Sequence, residues 1–191
     1  MKKNLLLIAA LCCALFSLTA CGGDDEPANT TTTKYTVTYT LSVPDDLIAT
    51  SKAVILRYKV DNNENDWITL SESNKSFSKS FELTSWTLEK GTAAAVGMKL
   101  EVSPKDDTSS LDSRMYNILT PASIKVVKEV YTNGSLTSTE TLATRDGYII
   151  SLSFDAAGTL EYYKQYSPFY FCNTVSKTGA TAKMNDSSLF D

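Results

Sequence analysis

Residues 35–43 read Tyr-Thr-Val-Thr-Tyr-Thr-Leu-Ser-Val, an unbroken alternation of apolar and hydroxyl side chains. A β-strand sends successive side chains to opposite faces. Tyr35, Val37, Tyr39, Leu41 and Val43 then share one face, and Thr36, Thr38, Thr40 and Ser42 the other. A helix would scatter both sets around its axis. The residue types also suit a half-buried pleated surface. The same period returns at Val54, Leu56, Tyr58 and Val60, and at Ala94, Val96, Met98, Leu100 and Val102. It returns again at Tyr148, Ile150, Leu152 and Phe154, and at Leu160, Tyr162, Lys164 and Tyr166. Trp67 to Leu70 reads as a short return strand, and residues 124–131 as a strand, with a start nearer Tyr116 as the alternative. In residues 77–83, Lys79 interrupts a face made by Phe77, Phe81 and Leu83. An inward-pointing lysine is a device that blunts an edge strand.

Turn signals separate these runs. Pro44, Asp45 and Asp46 end the first. Asn133 and Gly134 form the strongest hairpin signal, because both central residues of a type I′ turn need φ > 0. Arg145-Asp146-Gly147 and Asp155-Ala156-Ala157-Gly158 read as further turns. No window of about 12 residues after position 34 carries a helical period. The pattern predicts an all-β domain over residues 35–174: a single antiparallel β-sandwich, immunoglobulin-like in layout. A calycin-like β-barrel is the alternative, since residues 122–164 read as consecutive hairpin-connected strands, and a barrel would enclose a ligand. Residues 175–191 lack a pattern and are expected to form a disordered tail.

The start of the chain has a different character. Lys2 and Lys3 precede an apolar run from Leu5 to Leu18, which is too short to span a bilayer. Residues 1–20 therefore read as a cleaved secretory signal. Leu18-Thr19-Ala20-Cys21 resembles the lipobox of bacterial lipoproteins. That resemblance implies cleavage before Cys21 and attachment of lipid to its sulfur, so that the chain is anchored to a membrane rather than spanning it. Asp24, Asp25 and Glu26 resemble the acidic surface-export signal of Bacteroidetes lipoproteins. It implies an outer-membrane protein facing outside the cell, with the periplasmic face as the alternative. Residues 21–34, with two glycines, three acids and a threonine run, make a flexible tether. The layout, over residues 1–103 best, resembles small immunoglobulin-like sandwich lipoproteins of gut Bacteroidetes, mostly without an assigned function.

Composition narrows the chemistry. Removing residues 1–20 takes two of the 18 lysines and arginines and none of the 22 acids, leaving a net charge of −6. An acidic balance argues against nucleic-acid binding, which wants a basic face. The chain has no histidine. That removes His-dependent nucleophilic catalysis and the commonest zinc and copper sites. With Cys12 and Cys13 in the signal and Cys21 lipidated, Cys172 is the one ordinary thiol, and among Phe169, Tyr170 and Phe171 it reads as a packed hydrophobe.

Three constellations could carry function. Residues 61–72 resemble an EF-hand calcium loop, with Asp61, Asn63, Asn65 and Glu72 at ligand positions. The match departs where Asp66 stands in place of the turn glycine, and where the flanks read as strands. No other cofactor is expected. The aromatic run near the C-terminus offers Tyr163, Tyr166 and Tyr170 as a stacking platform for a glycan or protein ligand, or as core. Glu82, Glu101, Glu129, Glu140 and Glu161 could supply a hydrolytic pair, but nothing in their placement selects two of them. The expected protein is a non-catalytic, lipid-anchored β-sandwich with a binding or envelope-structural role. The alternatives are a glycan- or protein-capturing accessory lipoprotein and a carboxylate-based hydrolase.

Overall fold

The computed structural model describes residues 28–60, 63–83, 94–176, 179–184 and 190. In chain order the elements are β1 (Thr31–Ser42), α1 (Asp45–Ala49), β2 (Ser51–Val60), β3 (Asn63–Leu70) and β4 (Ser76–Leu83). They continue with β5 (Ala94–Pro104), β6 (Tyr116–Thr132), β7 (Ser135–Phe154), α2 (Ala156–Tyr166), β8 (Phe169–Ser176) and β9 (Gly179–Met184). A four-stranded sheet runs β4-β1-β6-β7, and a five-stranded sheet runs β3-β2-β5-β8-β9. All pairings are antiparallel. No pairing among the described residues joins one sheet to the other, so the domain is a sandwich and not a closed barrel.

The first five strands divide between the sheets as strands B, C, C′, E and F do in an immunoglobulin-like sandwich. β6 takes the place beside β1 that strand A holds there, and β8 the place beside β5 that strand G holds. β6 and β7 form one long hairpin whose turn places Asn133 at φ 52° and Gly134 at φ 79°, as the Asn-Gly pair requires.

The alternating faces meet between the sheets. Tyr35, Val37, Tyr39 and Leu41 of β1 are each at most 2% exposed. They pack with Leu56, Tyr58, Val96, Met98, Leu100, Ile118, Ile124 and Val126. Burying each large apolar side chain contributes about 1.5–3 kcal/mol, and a one-residue slip would turn a whole set to water. This fixes the register. Lys79 falls on the inner row of β4, in register with Tyr39 at the edge of the sheet, and stays exposed there. Its Nζ donates to the Tyr58 hydroxyl at 3.2 Å and lies 5.1 Å from the Phe81 ring centre. Cys172 is buried and forms no disulfide among the described residues.

Five expectations need correction. Thr31 to Lys34, expected in the flexible tether, open β1 and pair with Thr132 to Glu129 of β6. Residues 156–166 form a helix, not a strand. Asp155 caps it by accepting the Gly158 N–H at 2.7 Å, and Thr159, Leu160 and Tyr163 turn inward. A local side-chain cap, which looked like a turn, starts the helix instead. Arg145-Asp146-Gly147 is not a turn, because β7 runs straight through it. Arg145 faces inward, its guanidinium 3.8 Å from the Phe171 ring centre and donating to the Cys172 carbonyl at 2.6 Å. A Cβ at position 147 would meet the Phe171 ring at an ordinary contact distance of 3.5 Å, so the ring does not itself demand glycine there. Residues 45–49 add a short helix where only a turn was expected. Residues 179–184, expected to lie in a disordered tail, pair with β8 from Ser176 and Gly179 to Phe171 and Met184.

Candidate functional site

The outer face of the four-stranded sheet carries an open trough of about 720 Å³ that crosses all four strands. Its floor is the backbone of Leu41, Phe77, Ala122 and Gly147, and the first three of these turn buried side chains inward. Two cross-strand rows of side chains form its walls. One row is Ser78, Thr40, Ser123 and Asp146, each in register with the next. The other holds Ser76 and Ser42, paired on β4 and β1, and Pro121 and Tyr148, paired on β6 and β7. Strands lie about 4.8 Å apart, and side chains of one face recur every 6.8 Å or so along a strand, so the trough is about 14 Å long and about 7 Å wide.

The wall residues are small except at the β7 end. Five of the lining side chains are serine or threonine hydroxyls. Each can donate and accept. Thr40 Oγ1 and Ser123 Oγ lie 2.6 Å apart and hold each other in place. Tyr148 is 51% exposed, with Pro121 beside it. Leu119, 48% exposed, continues the apolar strip along β6. Asp146 is exposed, is the one formally charged residue of the lining, and has no ion-pair partner among the described residues. The site thus offers a ring face, a carboxylate and a line of hydroxyls on a rigid sheet.

A β-bulge puts Tyr148 there. Alternation places Tyr148 on the same face as Ile150 and Leu152. In β7, Ile150 pairs with Thr120 but Tyr148 pairs with Pro121, leaving Ile149 as the extra residue. Ile149 and Ile150 are both buried, and Tyr148 turns outward. A bulge switches the face of everything beyond it. Pro121 has no N–H to give a ladder, so the sequence does carry a signal for an irregularity opposite it.

The expected aromatic platform is dispersed. Tyr163 is 1% exposed, its hydroxyl 3.2 Å from Thr50 Oγ1, and it offers no open ring face. Tyr170 is half-buried on β8, with the Phe190 ring 5.9 Å away. Tyr166 is 52% exposed and packs against Tyr162 at 4.6 Å. Tyr162 also contacts Phe154 and Phe169. The rings of Phe154 and Tyr166 are each tilted 40° to Tyr162, so they make a ridge rather than a flat platform.

The calcium loop does not fold as a loop where it is described. Asn63 and Asn65 lie on β3, paired with Val60 and Tyr58 of β2. An extended strand cannot wrap a cation as a calcium loop does. Glu72 sits in the turn after β3 and pairs with Lys75 at 2.6 Å. Asp61 lies outside the described residues. Among the described residues no group of three or more His, Cys, Asp or Glu is placed to hold a metal ion. Several acids considered for hydrolysis are engaged. Glu101 meets Arg57 at 3.1 Å and Lys99 at 2.9 Å, Glu129 accepts from the Tyr131 hydroxyl at 3.0 Å, and Glu140 faces Lys128 at 3.6 Å. Cys21, Asp24, Asp25 and Glu26 lie outside the described residues.

Fold and site together define an all-β sandwich that carries an open trough across one sheet. No protein-family model, curated protein or solved structure matches the chain.

Proposed function

We propose that this chain is a non-catalytic lipoprotein, anchored by lipid at Cys21 and displayed on the outer face of an outer membrane, that captures a saccharide chain in the cross-strand trough. The observation that carries this reading is the row Ser78, Thr40, Ser123 and Asp146, facing the exposed ring of Tyr148 across a backbone floor. Sugars present hydroxyls at their rims and C–H faces above and below. Hydroxyls and a carboxylate answer the rims, and an aromatic ring with an apolar body answers the faces. The length of about 14 Å suits roughly three pyranose rings laid across the strands. The trough is open, so an internal segment of a long chain can lie in it. Anchoring rests on the Leu18-Thr19-Ala20-Cys21 motif, and outward display on Asp24, Asp25 and Glu26.

Calorimetric titration of the full chain in detergent with neutral oligosaccharides of increasing length tests the capture. Affinity should rise with length and then level off. Tyr148→Ala should weaken binding up to about tenfold, the effect of losing one ring contact. Tyr166→Ala should leave it unchanged. Equal binding by the wild type and Tyr148→Ala would move the site elsewhere. Protease treatment of intact cells, with a tag at the C-terminus and a periplasmic control, tests the display. Loss of the tag with survival of the control supports the outer face.

A further inference from the structure

The trough has a one-sided charge. Asp146 is the only charged residue among those that line it, and the carboxylate has no ion-pair partner among the described residues. The nearest cation in register is Lys125, which stands in the next cross-strand row with Thr38 and Thr144, outside the lining. The remaining polar wall is Ser78, Thr40, Ser123, Ser76 and Ser42, none of which carries charge. Resting on the saccharide reading of the trough, we infer that it selects neutral saccharide chains over acidic ones, and that Asp146 sets this choice.

The chemistry is direct. An ionised carboxylate only accepts, and its two oxygens suit two neighbouring sugar hydroxyls. A ligand carboxylate at the same place brings no proton to share. It meets a like charge, and inside the trough it finds no cation to offset the repulsion. Asp146, Tyr148 and Pro121 are all exposed, so the repulsion acts largely through solvent. The trough is open, so dissolved salt screens part of the effect. Selectivity should therefore narrow as ionic strength rises. A purely steric filter would not respond to salt.

The test uses the full chain in detergent and three probes of equal length: a neutral glucan oligomer, an N-acetylglucosamine oligomer and an oligogalacturonate. The wild type should bind at least one neutral probe about tenfold more tightly than the oligogalacturonate at low salt. Added salt should shrink that ratio. Asp146→Asn keeps the side-chain shape and removes the charge. It should raise oligogalacturonate binding about tenfold and abolish the salt dependence of the ratio. Binding of the acidic and neutral probes with equal affinity to the wild type would overturn the charge selection and leave the saccharide reading standing. An Asp146→Asn variant that still rejects the acidic probe would overturn the role of Asp146. Failure of every probe to bind the wild type would overturn the saccharide reading itself, and this inference with it.

Discussion

The phenol oxygen of Tyr39, on β1, accepts the backbone N–H of Gly97, on β5 of the opposite sheet, at 3.0 Å. The same hydroxyl donates to the carbonyl of Lys59 at 2.6 Å. Lys59 and Gly97 are register partners, so one side chain crosses the core and pins two strands of the facing sheet. Burial pushes the phenol well above its usual pKa, and it stays neutral. Tyr39→Phe keeps the ring and leaves a buried amide without its acceptor. The expected loss is about 1–3 kcal/mol, seen as a lower denaturant midpoint with an unchanged slope. An unchanged midpoint would show that the hydroxyl does not hold the sheets together.

Acid should loosen the join between α1 and β6. Arg114 donates to Asp46 at 2.6 and 3.2 Å, and the Asn117 N–H donates to the same carboxylate at 3.0 Å. The Arg114 hydrogen bonds hold the Asp46 carboxyl below its ordinary range. A depressed folded pKa contributes stability that is complete above the unfolded value of about 4, and this is lost as pH falls through the folded value. Asp46→Asn should remove that part of the acid slope below about pH 4. Since Arg114 is partly exposed, the substitution should cost about 1 kcal/mol at neutral pH. Chemical denaturation at a series of pH values measures both effects. Parallel acid limbs in the wild type and the variant would contradict the assignment.

Lys79 keeps β4 from acting as a template. It sits exposed on the inner row of an edge strand and lies over Tyr58 and Phe81. Lys79→Met would preserve the packing of the aliphatic stem and remove the charge. Edge pairing between molecules should then appear as dimers or larger species in size exclusion at high concentration. A variant that remains as monomeric as the wild type would assign the lysine to packing alone.

Asn133 clasps the point where the tether joins the sandwich. Its Oδ1 accepts the Thr30 N–H at 3.1 Å, and its Nδ2 donates to Asn29 Oδ1 at 2.8 Å. It also holds a left-handed backbone conformation, at φ 52°. Asn133→Ala should lose about 1–2 kcal/mol from the two causes together. Asn133→Gly keeps the backbone freedom and loses only the clasp. Both variants should be cut faster by protease in residues 28–33, and the alanine variant should melt lower. Equal cleavage of wild type and glycine variant would mean that the side chain does not secure the tether.

Much of the fold was legible in the sequence because strand alternation is a local property. β1, β2, β5 and the inner row of β4 fall where period two puts them, Lys79 included. The Asn133 turn was equally plain, because its backbone angles limit the choice of residues. Ala156–Tyr166 was missed because a short helix with Lys164 and several tyrosines shows no strong apolar stripe, and Asp155 with Gly158 looks like a turn. The Asp155 cap and the burial of Leu160 and Tyr163 support the helix instead. Arg145 was misread because a charged residue beside a glycine suggests a loop, whereas here the ring of Phe171 receives the guanidinium.

Local alternation marked β1, β2 and β5 with their inward faces, and the Asn-Gly pair marked the Asn133 hairpin. These follow from residue periodicity and backbone sterics, which need no distant partner. Tertiary structure alone decided the trough. Its two walls come from β1, β4, β6 and β7, and only cross-strand register brings Ser78, Thr40, Ser123 and Asp146 into line. The face that Tyr148 shows was likewise a tertiary decision. The extra residue Ile149, opposite Thr120 and Pro121, reverses the alternation at that point, and a bulge is set by the fit between two strands rather than by either one.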